Sequence, residues 1–293
     1  MKNFTNHHPC VLMVYFLSVT SIVMFVWNPI IQLIALLSGF AFSAVLQTKK
    51  EVFSGLVFYL LFFLIICITN PLFSHKGVTI LLYINDNPFT LEALIYGISI
   101  AIMVIGIIFW FKCYSLIMTS DKFLYLFGKI IPKISLILSM ILRFVPMFKK
   151  QIKRINNSQK TMGLYSSNGY IKKFKSGSRV LSAIVSWSLE NSIDTASSMK
   201  ARGYGLKNRT NYSNFNFILK DKLILFFVIF FSVIIFFGAA NGEMDFYYYP
   251  QISSINITPF SLLCYLSYFI IAFSPLILEF TECLKWKYCK SKI

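Results

Sequence analysis

The sequence predicts an all-α membrane protein with about six transmembrane helices and a further set of basic helices on the cytoplasmic side. Three observations predict it: an extreme apolar composition, six uncharged runs of membrane-spanning length, and a clustering of basic residues between the fourth and fifth runs. Of 293 residues, 57% are hydrophobic and only 13% are charged, and the mean hydropathy is +0.68. A water-soluble domain of this size could not cover so much apolar surface with polar groups.

The apolar runs are Val11 to Trp27, Pro29 to Leu46, Val52 to Thr69, Ala93 to Phe111, Leu223 to Ala240 and Phe260 to Leu278, and none holds a charged residue. Each is close to the ~20 residues a helix needs to cross hydrocarbon. After His7 and His8 the first run shows no small-residue cleavage site and reads as a retained span. The two histidines read as a polar flank, because no further metal ligands stand at suitable spacing. The formal net charge is +17, and twenty of the 28 Lys and Arg lie between Lys112 and Lys222. Positive charge beside spans marks the cytoplasmic face and its anionic lipids, so the partner it implies is the lipid bilayer and not nucleic acid. Lys49 and Lys50, the basic central segment and the lysines from Lys285 onward all fall inside in one six-span topology with both termini cytoplasmic. The organisation expected is spans 1–4 in residues 1–120, cytoplasmic helices in 121–210 and spans 5–6 in 211–293.

A segment of about 100 residues would not stay without structure of its own. From Lys133 to Gly163 an apolar half passes Arg143 and Pro146 into a half carrying Lys149, Lys150, Lys153 and Arg154, the pattern of an amphipathic helix bent at proline. A second helix is expected from about Ser178 to Lys200, closed by Gly203. On it Ser188, Ser192 and Ala196 recur every four residues and offer a small-residue face for a close helix crossing. Asn168-Gly169 and Ser176-Gly177 predict a turn-rich link between the two. Phe246 to Tyr249 suit an interfacial aromatic belt at the outer surface.

The sequence holds no phosphate-cradling glycine loop, no His-Glu-x-x-His and no nucleophile elbow, and its spans contain no carboxylate pair. The chain therefore reads as neither an ATPase nor another enzyme, and no cofactor or metal is implied. Spans without ionisable groups also lack the usual parts of an ion-coupled carrier. Glu190 and Asp194, one helical turn apart, read as a polar face. Energy for transport would have to come from a partner.

Specific residues then carry a resemblance. Arg143-Phe144-Val145-Pro146, Arg154-Ile155, Ser158-Gln159 and Gly163, followed by Met199-Lys200-Ala201-Arg202-Gly203-Tyr204, resemble the T component of energy-coupling factor (ECF) type ABC importers. Asn70-Pro71-Leu72-Phe73, Gly77, Thr90, Glu92 and Gly97 look like the same family's pattern, so the motifs span roughly residues 70 to 210. The resemblance implies a membrane scaffold that joins two cytoplasmic ABC ATPase subunits to a membrane-embedded S component, which binds a vitamin or metal ion for uptake. It implies that the two long helices are coupling helices, each ending in an Ala-Arg-Gly motif whose arginine docks in an ATPase. Ala201, Arg202 and Gly203 match the second motif. Thr161, Met162 and Gly163 stand at the first, where the alanine and the arginine are replaced. A different class of function, a membrane enzyme or scaffold acting on an anionic lipid or phosphate substrate, is the alternative reading of the basic segment.

Overall fold

The computed structural model describes residues 4–74, 77–84, 87–163, 170–204 and 215–291. Its described elements are α1 (Pro9–Phe25), α2 (Pro29–Leu46), α3 (Lys49–Phe73), β1 (Ile80–Ile84), β2 (Asn87–Thr90), α4 (Leu91–Ile117), α5 (Ser120–Ile130), α6 (Pro132–Thr161), α7 (Tyr170–Ala201), α8 (Leu219–Ala240) and α9 (Pro259–Ser291). They form two compact units, one from residues 1–123 with 215–293 and one from 124–214.

The first unit is an apolar bundle. Five of its helices are long and apolar enough to cross a membrane: α2, α3 from Lys50, α4, α8 and α9 as far as Thr281. The first apolar run, expected as a sixth span, forms the shorter α1 of 17 residues, about 25 Å long. Pro29 explains why it stops. The residue before a proline avoids the helical region, so Val26 to Asn28 run extended, and Asn28 caps the next helix by accepting the Ile30 N–H at 3.0 Å. The bundle centre is aromatic. Phe4, Tyr15, Phe16, Phe42 and Trp110 are buried and meet mostly edge to face, with Phe4 5.3 Å from Tyr15 and Phe16 6.0 Å from Trp110. Trp110 from α4 lies over Gly39 of α2, where an added Cβ would come within 3.2 Å of the indole. Its Nε1–H donates to the Ala35 carbonyl at 3.1 Å. A bulky donor-bearing side chain thus fits in the interior because a glycine makes room and a carbonyl satisfies the donor.

Small residues also set the approach of α3 to α4. A Cβ on Gly97 would stand 3.0 Å from the Cys67 carbonyl oxygen. Only 6% of α3's apolar stretch is buried within the chain. Most of α3 therefore faces outward.

Ionic and polar groups gather where the chain leaves for residues 124–214 and returns. The His7 Nδ1 pairs with Asp221 at 2.7 Å, the Phe4 N–H donates to Glu279 at 3.1 Å, and Lys122 Nζ donates to the carbonyls of Thr5 and Ile117. Burial pushes the Lys122 ammonium below its ordinary value. His7, expected as a mere polar flank, is a hydrogen-bond partner of Asp221.

The all-α expectation holds for the bundle; the one addition among the described residues is a small antiparallel pair, β1 with β2, in the α3–α4 connection. In the second unit α6 runs as one helix through Pro146. Helix α7 begins at Tyr170, eight residues before the expected start, so Ser176-Gly177 lie inside it and not in a turn. Ser176 is buried there and donates to Gln159 of α6 at 3.2 Å, which offsets the weak helix propensity of the Ser-Gly pair. Asn168-Gly169 lie outside the described residues.

The Trp110 seat yields a stability test. Trp110→Ala should cost about 3–5 kcal/mol and Gly39→Val about 1–3 kcal/mol through overpacking. Phe58→Ala, at a side chain 61% exposed on α3, should change little. Unfolding in detergent at matched conditions compares the three, and equal losses at Trp110 and Phe58 would contradict the packing described.

Candidate coupling site

The two triplets singled out in the sequence, 161–163 and 201–203, occupy equivalent positions on α6 and α7. Each helix ends one residue before a glycine-closed turn. Gly203 has φ +76° and Gly163 φ +70°, a left-handed conformation that glycine adopts without a Cβ penalty. The Gly203 N–H donates to the Lys200 carbonyl at 3.0 Å and the Tyr204 N–H to the Met199 carbonyl at 3.1 Å. That pair of bonds is a Schellman cap, which satisfies carbonyls a helix end would otherwise leave open. At the other triplet the Gly163 N–H donates to the Lys160 carbonyl at 3.1 Å, the same first bond. Met162 and Arg202 therefore sit at the same C-cap position.

Both are presented outward. Met162 is 74% exposed, and Thr161, Ala201 and Arg202 are exposed as well. Among the described residues no carboxylate pairs with Arg202. Its guanidinium, permanently charged and planar, is free to form a forked pair with an acid on another molecule. Met162 offers a flexible apolar side chain at the matching place and no charge. Lys149, Lys150, Lys153, Arg154 and Lys160 are exposed along the second half of α6. Together these guanidinium and ammonium groups make the described part of the site a basic surface of the kind that suits carboxylates. Glu190 and Asp194 are exposed on α7.

The sequence expectation placed a close crossing of the two helices at Ser188, Ser192 and Ala196. Within this unit α6 and α7 meet through a neighbouring face instead. Phe148 and Trp187 contact edge to face at 5.6 Å, Ser176 reaches Gln159, and Val180 is buried. Ser188 is half-buried, while Ser192 and Ala196 are exposed, and the two serines return their hydroxyls to the carbonyls of Val185 and Leu189. The reason is geometric. Val180, Trp187, Asn191 and Thr195 lie within about 80° on the helix wheel, and Ser192 and Ala196 fall outside that arc. The small-residue face stands beside exposed Leu181, Val185, Leu189 and Ile193.

Sequence reasoning also missed polar contacts inside the bundle. Ser99 of α4 donates to Gln32 of α2 and lies 2.6 Å from the Tyr248 hydroxyl. The sequence signal for this contact is Gln32, the one amide side chain inside the run from Pro29 to Leu46.

The profile of the CbiQ family, described as cobalt transport protein, matches residues 2–212, most of the chain and both triplets. The chain belongs to the CbiQ family. Curated relatives agree with that membership. The energy-coupling factor transporter transmembrane protein EcfT of Lactobacillus helveticus is 34% identical over 110 residues, covering 37% of this chain and 40% of that protein. EcfT of Staphylococcus aureus is 27% identical over 187 residues, covering 60% of this chain and 70% of that protein. An uncharacterised protein of Mycoplasma genitalium is 33% identical over 109 residues, 36% of this chain and 26% of the relative. The alignments with the first and third thus span well under half of those relatives. As a CbiQ-family chain this protein is a transport component, and the five helices among its described residues that are long and apolar enough to cross a membrane make it a multi-pass membrane protein.

The caps can be tested without any partner. An L-residue in the left-handed region costs about 1–2 kcal/mol, and a Cβ on Gly163 meets nothing within 4 Å, so Gly163→Ala carries the backbone term alone. Gly163→Ala and Gly203→Ala should each speed amide exchange in the last turn of their own helix by roughly tenfold. Unchanged exchange at the Tyr204 amide in Gly203→Ala would show that the cap does not hold that end.

Proposed function

We propose that this chain is the transmembrane T component of an ECF-type importer, a scaffold without catalysis of its own. It passes the ATP-driven motion of two cytoplasmic ABC ATPases to a membrane-embedded S component that selects a vitamin or metal ion. The observation that carries this reading is the shared cap geometry of 161–163 and 201–203, two outward-facing helix ends built alike and differing in the residue presented. Family membership and the EcfT relatives support it. The termini are cytoplasmic in this reading, with the α8–α9 connection outside, in line with the positions of the lysines. The face of Ser192 and Ala196, with half-buried Ser188 at its edge, receives a helix of another subunit closely.

The two ATPases are docked unequally. Arg202 makes a charge-assisted contact, and Met162 fills an apolar part of the other groove. Truncating a charged contact that becomes buried costs roughly 2–5 kcal/mol, much of it from the acid left behind. Arg202→Glu should abolish ATPase co-purification and ATP-driven uptake, Met162→Ala should weaken both modestly, and Met162→Arg should gain little unless the facing groove keeps a carboxylate. Uptake and co-purification at matched expression decide the matter. Normal assembly of Arg202→Glu alongside failure of Met162→Ala would reverse the assignment.

Orientation is tested separately in sealed cells. Cysteines introduced at Asn241 and Ser254, both exposed, should react with an impermeant thiol reagent, and native Cys289 should not. Labelling of Cys289 from outside would sink the topology.

A further inference from the structure

The β1–β2 hairpin is too apolar for water. Ile80, Leu81, Leu82 and Tyr83 are 48%, 51%, 64% and 68% exposed. A register shift interrupts β1 between Ile80 and Leu82, but from Leu82 the pairing is regular, with Leu82 opposite Phe89 and Tyr83 opposite Pro88. Successive residues there point to opposite faces, so Leu82 and Tyr83 place an exposed apolar group on each face, and no way of laying the ribbon on the bundle would hide both. The same hairpin is too polar for hydrocarbon. A two-stranded ribbon keeps one unpaired edge on each strand, and lipid-exposed sheet edges do not occur within the hydrocarbon core. The headgroup layer meets both demands, since its upper acyl region accepts the side chains while water and headgroups reach the free edge.

Neighbouring residues fix the same depth independently. Helix α3 ends beside the hairpin in Leu72 and Phe73, 47% and 84% exposed, so the apolar surface of a span runs on into β1. At that level Ser74 Oγ lies 3.4 Å from the Tyr249 hydroxyl, Tyr249 packs on Tyr96 at 5.3 Å, and Tyr96 stacks on Trp27 at 5.8 Å. Tyrosine and tryptophan clustered at span ends are the composition of a membrane interface.

The base of the hairpin is held firmly. The buried Glu92, in the first turn of α4, turns its carboxylate back to accept the Thr79 N–H at 3.1 and 3.3 Å. The Leu91 N–H donates to the Thr79 carbonyl at 3.0 Å, and Thr90 caps α4 at the Ala93 N–H. Gly77, at φ +141°, passes so close that a Cβ would fall 2.6 Å from Glu92 Oε2. Gly77, Thr90 and Glu92 together form a clamp that sets the height of the ribbon relative to α4.

We propose that the β1–β2 hairpin is a lipid anchor, inserted with lipid on both faces into the headgroup layer at the α3–α4 end of the bundle and held there by the Glu92 clamp. Its partner is the bilayer itself, recognised by apolar side chains and not by charge. The proposal stands on the membrane-spanning character of α3 and α4 and is independent of the coupling role.

The test uses the full chain, with its six cysteines replaced by alanine or serine, in nanodiscs of phosphatidylcholine holding one copy each. Nitroxides are placed at Leu82→Cys and Tyr83→Cys, consecutive regularly paired positions on opposite faces of β1, and collision with oxygen is compared with collision with a water-soluble nickel chelate. Both labels should be oxygen-rich and nickel-poor, at a depth of about 5–10 Å below the headgroups. Nickel access at both positions, or at one of the two in alternation, would overturn the proposal and leave the ribbon in water or lying flat. Adding Glu92→Gln, which keeps the side-chain size, should narrow the Leu82→Cys spectrum and spread its depth. A spectrum unchanged by Glu92→Gln would overturn the clamp, and a melting curve matching the parent shows that the bundle is intact when this is read.

Discussion

In hydrocarbon an unpaired peptide N–H or C=O costs several kcal/mol, and that one constraint decides where this chain can turn. Each bend of the bundle occurs beside a side chain or glycine that can answer for the open backbone groups. His8 accepts the Cys10 N–H, Asn28 the Ile30 N–H, Glu51 the Thr48 N–H and Thr90 the Ala93 N–H. Gly242, at φ +74°, lets α8 close and donates to the Ala239 carbonyl. The apolar runs between these points need no further instruction to become helices, because no other spanning form pairs its own backbone.

Lateral packing follows a different rule. Helices gain little from leaving lipid for one another, so close approach depends on shape. Gly39, Gly97 and Gly106 supply that shape along α4's contacts: a Cβ on Gly106 would lie 3.4 Å from the Leu36 backbone nitrogen. Trp110 exploits the same device at Gly39, and the polar thread of Gln32, Ser99 and Tyr248 adds direction to a contact that apolar groups alone would leave free to slide.

Periodicity and charge made the spans readable from the sequence, and Gly203 made the end of α7 readable, because those features act within a few residues of where they stand. What escaped needed partners far along the chain. Ser176-Gly177 has the local chemistry of a turn, and only Gln159 on another helix makes it helical. The pairing of His7 with Asp221 joins residues more than two hundred positions apart. Ile80 to Tyr83 are too few for a span and sit in a connection, so their strand pairing with Asn87–Thr90 had no periodic signature. At the candidate site the positions were legible and the face of contact was not: a four-residue repeat identifies a stripe on α7 without saying which side α6 takes.

The caps at Gly163 and Gly203 have a corollary for substitution. At both ends a left-handed glycine and its backbone hydrogen bond close the helix, so the side chain just before the glycine contributes nothing to that closure. Such a position can carry arginine or methionine without a folding penalty, so the side chain presented at one helix end can change while the scaffold and the opposite helix end stay as they were.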